Sequence, residues 1–503
     1  MDYILMYLSL PFSITENYLL ITALIPLLSA LAIFFTGKWP RVSSGVTVAF
    51  SMLLFAYTSL CTLYLVYGDH PQFILMDFGS NLHISLKLES SGVIFGLLIS
   101  FLWVLTSIYA ICYMRNNYAD SNHSSFLCFF SISISCAMFI AFSGDLLTTF
   151  VFYELLTIST YPLVTYNSTN ESVVAGRYYF GVLFFSSLVL FFPAIGLLYN
   201  EFHTLDFVSG GIFKFDTSLI TFIAVCFAML IYGIGKAALM PMHFWLPKAM
   251  VAPTPVSALL HAVAVVKSGV FIIIKVILYT FGVDNMQRFV QQNWFAGGWL
   301  PYAAGFTIIT ASLIALKQKE LKKLLAYSTI SQLSYIILFA SIFSELSMRV
   351  AIFQLVCHAF AKITLFFIAG AIITKTGEKY IDKIHGIGRS MPISMTAFAI
   401  GALSMIGVPP APTFWGKFLI FQAVFNSGNV ILSVFVTLVL IVSTILNALY
   451  FLPIIYNAFF LKPSQNYLIK KTPILLVLPP VITATCTLVI FFSYQVIFQN
   501  LYL

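Results

Sequence analysis

Five lysines lie inside long apolar stretches of the chain, where an ammonium group has no obvious partner. They are Lys236, Lys267, Lys275, Lys362 and Lys417. If those stretches cross a bilayer, each lysine costs several kcal/mol, with estimates from about 3 to over 10. A lysine near a helix end can reach the interface along its aliphatic stem, and this alternative stays open for Lys275. The others lie well inside a stretch or beside a helix break, so we expect them to serve transport.

One acidic residue, Glu154 in "TTFVFYELLTISTYPLV", also lies deep in an apolar stretch. A lone carboxylate in hydrocarbon is either protonated or paired. One interpretation is a structural ion pair with a nearby lysine. The other is a switchable pair whose strength changes as protons pass.

Two histidines and their neighbours form polar stripes on apolar helices. In "FQLVCHAFAKITLFF", Gln354, His358 and Lys362 are spaced i, i+4, i+8, so they share one helix face. A second set recurs at intervals of seven in "LLHAVAVVKSGVFIIIK", namely His261, Ser268 and Lys275. Imidazole and hydroxyl groups both donate and accept hydrogen bonds, as a proton relay requires. A buried histidine that is merely hydrogen-bonded is the alternative for either one.

Prolines follow or precede two of the lysines. Pro241 stands five residues after Lys236, and Pro409 and Pro410 stand shortly before Lys417. Proline removes a backbone donor and opens the helix, which a membrane tolerates where the loosened backbone lines a cavity or packs on protein. Two lysines beside two broken helices, one in each half of the chain, are typical of inverted-repeat transporters.

The composition indicates a polytopic membrane protein. Of 503 residues, 60% are hydrophobic and 8% are charged, with a mean hydropathy of +0.98, whereas soluble domains carry roughly 25% charged residues. The net charge of +8 then indicates basic cytoplasmic loops and no nucleic-acid partner. The seven cysteines lack a CxxC pair, so we expect no metal site or disulfide framework. No nucleotide or haem fingerprint is present, and we expect no cofactor.

The hydropathy pattern predicts an all-α fold of about 14 transmembrane helices. The spans lie near residues 18–36, 43–66, 90–113, 124–143, 146–166, 175–200, 218–240, 254–280, 300–316, 325–344, 350–374, 393–425, 430–460 and 473–497. When alternate loops are assigned to opposite sides, one side holds sixteen lysines and arginines and the other four. This bias predicts that both termini are non-cytoplasmic. The first twelve residues lack a basic flank, and we expect no cleavable signal peptide.

Several motifs carry a family resemblance. "LMPMHFWLPKAMVAPTPVSALLHAVAVVKSGVF", "LKKLLAYSTISQLSY", "HAFAKITLFF", "IHGIGRSMP" and "IGVPP…FWGK" stand in the family's order. From about residue 90 to 430, the chain resembles the antiporter-like membrane subunits. Respiratory complex I, Mrp-type multisubunit Na⁺/H⁺ antiporters and membrane-bound hydrogenases share these subunits.

The resemblance implies two inverted five-helix repeats, with helices 7 and 12 broken. Its division of the chain is 1–113 (three helices), 114–281 (helices 4–8), 282–460 (helices 9–13) and 461–503 (the last helix). It makes Glu154 a carboxylate partnered by Lys236. It makes the remaining groups relay residues, with Lys417 as the outlet: His261, Lys267, His358, Lys362 and Lys417.

One departure from the family concerns the second helix break. Pro412 and Thr413 stand where the family commonly has a small Ser-Gly pair. This difference leaves the geometry around Lys417 to be determined.

The resemblance implies a proton-translocating subunit of a multisubunit cation/proton antiporter, closest to the D type of Mrp subunit, in the inner or plasma membrane. Other membrane subunits would be its partners, and protons its cargo. Because sodium ligands are oxygen groups and intramembrane acids are scarce, we expect any Na⁺ path in a partner. The alternatives are a proton-pumping subunit of complex I or a related hydrogenase, and a scaffold without transport. The chain ends soon after Lys471, so we expect no long lateral helix like that of the largest complex I pumping subunit.

Overall fold

The computed structural model describes residues 12–66, 68, 70–118, 123–259, 264–462 and 472–499. It confirms a mostly helical polytopic architecture and adds one β-hairpin that the hydropathy pattern does not predict. The helices of the first half are α1 (Phe12–Thr36), α2 (Pro40–Val66), α3 (Ser90–Asn117), α4 (His123–Ala141), α5 (Leu146–Val164), α6 (Asn170–Ser186), α7 (Phe192–Phe202), α8 (Ile220–Gly233), α9 (Trp245–Lys248), α10 (Thr254–Ala258) and α11 (Val265–Lys275).

The second half continues with helices of the same kind. They are α12 (Val283–Gln292), α13 (Leu300–Leu316), α14 (Leu321–Ala340), α15 (Glu345–Thr376), α16 (Pro392–Ile406), α17 (Thr413–Asn426), α18 (Val430–Phe460), α19 (Ile474–Phe492) and α20 (Tyr494–Gln499). The antiparallel hairpin pairs β1 (Gln72–Asp77) with β2 (His83–Lys87).

The number of membrane spans is only partly established by helix length. Ten helices of the described residues are long and apolar enough to cross a membrane. The bent pair Val265–Phe281 and Val283–Gln292, at 82°, would make eleven, and three further apolar helices are shorter. Fourteen spans and two inverted repeats therefore stay predictions, because broken spans divide into pieces that are too short to count alone.

Two predicted spans each contain two helices of the structure. The span predicted over 254–280 contains α10 and α11, and residues 260–263 between them lie outside the described residues, whereas the span over 393–425, where a break is predicted, is divided into α16 and α17. In the second case Gly407 takes a left-handed φ of 81° directly after α16. That conformation costs glycine little, and the prolines that follow cannot continue a helix.

Contacts between loops define two ends of the helix bundle. Gly144 donates its backbone N–H to the Ser85 carbonyl, and the Phe207 N–H donates to the Gly144 carbonyl, both at 2.9 Å. These contacts gather one set of loops around the hairpin, at what we call the hairpin face. At the other end, which we call the lysine-rich face, the Leu321 N–H donates to the Lys379 carbonyl at 3.1 Å. The loops with most of the lysines thus lie opposite the hairpin.

The inner and outer helices differ in burial. Most residues of α14 and α15 are buried, whereas most of α2 and α18 are not. The exposed side chains of the outer helices are large and apolar, as in Val430 and Ile431 of α18. Such surfaces suit contact with lipid or with another membrane protein, while α14 and α15 form the protein-packed interior.

Candidate functional site

Lys236 lies in the interruption that follows α8, within a single 3₁₀ turn, Gly235–Ala237. Pro241 lies in the irregular backbone between this turn and α9. The Lys236 side chain is fully buried, and its Nζ donates to the Tyr153 carbonyl at 2.6 Å and to Thr157 Oγ1 at 2.5 Å. Nζ also lies 3.1 Å from the centre of the Tyr153 ring. The break after α8 therefore places the Lys236 ammonium group against one turn of α5.

Glu154 belongs to the same turn of α5 and is 9% exposed. Neither of its carboxylate oxygens makes a hydrogen bond within the described chain. The ion pairs of the described residues do not include Glu154 with Lys236, so the two groups are neighbours that do not touch here. A carboxylate without a donor stabilises the fold poorly, whereas a carboxylate that gains and loses a proton suits transport.

A glycine lets the helix that carries Lys267 approach Lys236. A Cβ atom at Gly269 would lie 2.4 Å from the Ala237 nitrogen and 2.5 Å from the Lys236 carbonyl carbon. Because both are backbone atoms, a larger residue cannot be accommodated by a rotamer change. Gly269 of α11 thus sets the distance between the first and second buried lysines.

Lys267 contacts α15 through a histidine. Its Nζ lies 2.5 Å from His358 Nδ1 and 3.2 Å from the Leu355 carbonyl, and both Lys267 and His358 are fully buried. When the ammonium group donates, Nδ1 accepts and therefore carries no hydrogen. A proton moved along this bond would convert neutral imidazole to imidazolium, so the contact is arranged for proton transfer.

Lys362 lies one turn beyond His358 on α15. Its Nζ donates to Ser328 Oγ of α14 at 2.9 Å, and the side chain is fully buried. Gln354, one turn before His358, is buried with an amide that makes no hydrogen bond among the described residues. The predicted stripe thus shares one helix, but His358 and Lys362 bind different neighbours instead of one another.

Lys417 of α17 neutralises the end of α16. Its Nζ donates to the Ile406 carbonyl and to Thr444 Oγ1, both at 2.8 Å, and lies 5.0 Å from the Tyr335 ring centre. The last carbonyls of a helix lack partners inside the helix and carry partial negative charge. The break created around Pro409 and Pro410 therefore produces the acceptor that holds the lysine.

Other side chains satisfy the remaining carbonyls at this break. Gln332 Nε2 and Asn447 Nδ2 both donate to the Met405 carbonyl at 3.1 Å. Thr413 Oγ1 donates to the Ser404 carbonyl. The departure at Thr413 thus supplies a hydroxyl cap to the broken helix.

The two remaining predicted residues differ in outcome. His261 lies outside the described residues. The Lys275 side chain is completely buried within the protein, and its Nζ is 3.2 Å from Glu89 Oε2. Sequence reasoning missed Glu89, which stands directly before the apolar run of α3 and resembles an ordinary loop acid. The only indirect sequence signal for a buried partner was Lys275 itself, on the helix face that it shares with Ser268 at i, i+7.

Replacing Lys417 by glutamate should impair proton transport at neutral pH and restore part of it at acidic pH. A carboxylate would face the Ile406 carbonyl at the negative end of α16, whereas a protonated carboxyl can donate to it. The measurement is the transport rate of Lys417→Glu against pH, with Lys417→Gln as the control that cannot titrate. Equal pH profiles for the two variants would contradict this role of Lys417.

Most residues of this site lie in the part of the chain that matches a known protein family. Residues 143–442, more than half of the chain, match the family described as "NADH:quinone oxidoreductase/Mrp antiporter, TM". The chain is 30% identical to the Na⁺/H⁺ antiporter subunit A1 of Staphylococcus aureus (strain bovine RF122 / ET3-1), over 82% of this chain and 52% of that protein.

Two further comparisons agree with this match. The chain is 30% identical to the chloroplastic NAD(P)H-quinone oxidoreductase subunit 5 of Adiantum capillus-veneris, over 78% of this chain and 56% of that protein. It spans only about half the length of these curated relatives. Its fold is similar to a chain of the Mrp complex from Dietzia sp. DQ12-45-1b, with a TM-score of 0.83, 19% identity, and coverage of 96% and 95% of the two chains.

Proposed function

The chain belongs to the NADH:quinone oxidoreductase/Mrp antiporter transmembrane family, and we propose that it is the proton-translocating subunit of a multisubunit monovalent cation/proton antiporter. The observation that carries the proposal is the series of buried titratable groups. The series begins with Glu154 of α5 and Lys236 at the first helix break. It continues through Lys267 and His358 to Lys362 and Lys417. A buried charge destabilises the fold unless it serves a function. Several buried titratable groups in one helix bundle therefore support a role in proton movement.

The contacts support a stepwise mechanism. Protonation of Glu154 weakens its attraction for the Lys236 ammonium, which frees the Lys236 proton to move toward Lys267 of α11, the helix that Gly269 allows to approach the Lys236 turn. The Lys267 proton passes to His358 Nδ1, and the charge then favours proton loss from Lys362 on the same helix. Lys417, held at the open end of α16, releases the last proton.

The coupled cation is expected to use a different path. Na⁺ is bound by oxygen ligands, and the described site is dominated by lysines. We therefore propose that a partner subunit carries the cation, and that the chain most resembles the D type of Mrp subunit. The division into repeats at 114–281 and 282–460 remains part of the same proposal. So does the role of His261 as a proton-relay residue.

A second candidate function rests on the similarity to subunit 5 of an NAD(P)H-quinone oxidoreductase. In that case the same lysines would pump protons within complex I or a membrane-bound hydrogenase, driven by electron transfer in partner subunits. The chain itself would hold no redox centre. The two candidates differ in their partners and in what drives the protons.

Isolation of the tagged chain from its native membrane, followed by mass spectrometry of the proteins that accompany it, distinguishes the two. We expect small hydrophobic antiporter subunits. Iron–sulfur, flavin or nickel proteins in stoichiometric amounts would show that the complex is a redox enzyme and would overturn the antiporter proposal.

The orientation in the inner or plasma membrane is a separate prediction. We expect the lysine-rich face to be cytoplasmic. A membrane-impermeant amine reagent should label the exposed Lys317 and Lys319 only in inside-out vesicles, and the exposed Lys214 of the opposite face only in right-side-out vesicles. The reverse pattern would invert the topology and place both termini in the cytoplasm.

A further inference from the structure

A second lysine–carboxylate pair is buried near the hairpin face, away from the series described above. Lys275 Nζ is 3.2 Å from Glu89 Oε2, and the two side chains are 0% and 7% exposed. Nζ also donates to the Ser143 carbonyl. Unlike Lys236 and Glu154, this pair is in direct contact.

Glu89 is poorly held for a purely structural carboxylate. It is the residue before α3, but its side chain does not cap that helix. Neither carboxylate oxygen makes a well-directed hydrogen bond among the described residues, so the ionic contacts with Lys275 and Lys87 are its main partners. A carboxylate retained only for stability normally accepts several hydrogen bonds.

Asp145 shows what a structural carboxylate looks like in the same loop cluster. Its Oδ2 accepts from the Ser85 N–H at 3.0 Å, Ser85 Oγ at 2.8 Å and Thr148 Oγ1 at 2.6 Å, while Oδ1 accepts from the Thr148 N–H at 2.6 Å. Four donors fix this group. The contrast shows that Glu89, unlike Asp145, is held by ionic contacts with lysines and not by a set of directed hydrogen bonds.

The pair connects the interior to the hairpin face. Lys275 and Lys267 are eight residues apart on α11, or about 12 Å along the axis. Ser268 directly follows Lys267 and lies on the helix face of Lys275, seven residues before it. Its hydroxyl is buried without a hydrogen bond in the described structure. On the outer side, Lys87 lies 3.8 Å from Glu89 Oε1 and is 31% exposed.

We propose that Glu89 and Lys275 form a proton outlet from the first half of the bundle to the hairpin face. The Lys275 ammonium gives its proton to the Glu89 carboxylate, leaving a neutral amine and a neutral carboxyl. Glu89 then releases the proton to water at the hairpin, and Lys275 is reprotonated from the Lys267 side.

The charged and titratable groups that face the pair fit this role. Lys87 comes from β2, Asp145 precedes α5, and Tyr279 follows α11, with its hydroxyl 3.3 Å from Ser91 Oγ. Only Lys87 reaches the surface to an appreciable extent. The outlet therefore opens beside β2, which carries Lys87.

The test measures proton transport by the assembled complex while the pH on each face is varied separately. Glu89→Gln should lower the rate about 100-fold, the low end of the contribution of a positioned proton-transfer group. The residual rate should lose its dependence on pH at the hairpin face and keep it at the lysine-rich face. Glu89→Asp should restore part of the rate and of that dependence. The matched control is Glu345→Gln, which removes an exposed acid on the same face.

Each outcome decides the proposal, which rests on the proposed function. An assembled Glu89→Gln complex with wild-type rate and pH profile overturns it. If Glu89→Gln fails to assemble, the double variant Glu89→Gln/Lys275→Gln removes both charges. Assembly of the double variant without transport supports the outlet, whereas normal transport or failure to assemble assigns the pair a structural role. If neither the wild-type complex nor the Glu345→Gln complex transports protons, the proposed function itself is refuted.

Discussion

Lys236→Met should reduce proton-coupled transport by about 100-fold or more, because the variant removes a group that must accept and release the proton. The complex should still assemble. Lys236 makes no direct ionic contact with Glu154 within the described structure, so its removal breaks no hydrogen-bonded ion pair. It also relieves the cost of burying an ammonium group among Tyr153 and Thr157.

The measurement is the transport rate in vesicles, normalised to the amount of assembled complex. Lys248→Met is the matched control, since Lys248 belongs to the same broken segment but is exposed at the lysine-rich face. We expect the control to transport at close to the wild-type rate. Wild-type transport by assembled Lys236→Met would rule out Lys236 as a proton carrier.

Gly269→Ala should be nearly as damaging, although it changes no titratable group. The added Cβ would lie 2.4 Å and 2.5 Å from backbone atoms of Ala237 and Lys236, closer than atoms can approach. Either α11 or the Lys236 turn must move. A displacement of about 1 Å between groups that exchange a proton can cost about 100-fold in rate, and the strained packing should also lower thermal stability.

Gly181→Ala on α6 provides the control, because no atom lies within 4 Å of its added Cβ. It should be neutral or slightly stabilising, since alanine favours a helix interior over glycine by roughly 0.5–1 kcal/mol. The two variants are compared by transport rate and by the melting temperature of the purified complex. Equal behaviour would show that the contact at Gly269 does not position Lys236.

The interior series could be predicted from sequence because its signal is compositional. A lysine such as Lys362 within twenty apolar residues is conspicuous without any knowledge of the fold. The prolines beside Lys417 likewise indicate a broken helix through local backbone chemistry.

The partners of these groups could not be predicted, because they come from distant segments. Lys267 and His358 lie on α11 and α15, 91 residues apart in sequence. Asn447 caps a carbonyl of Met405 that becomes available only because α16 ends there. Glu89 looked like an ordinary loop acid because its burial depends on the hairpin and on the loop at Ser143 packing around it.

The proposed function requires this chain to move protons in exchange for a cation, through its own buried lysines. The most direct test reconstitutes the purified native complex in proteoliposomes and imposes a Na⁺ gradient, with no electron donor or quinone present. We expect an immediate pH change inside the vesicles that is absent when the complex carries Lys236→Met. A pH change that appears only when an electron donor and an acceptor are added would contradict the proposal and would make the chain a subunit of a redox-driven pump.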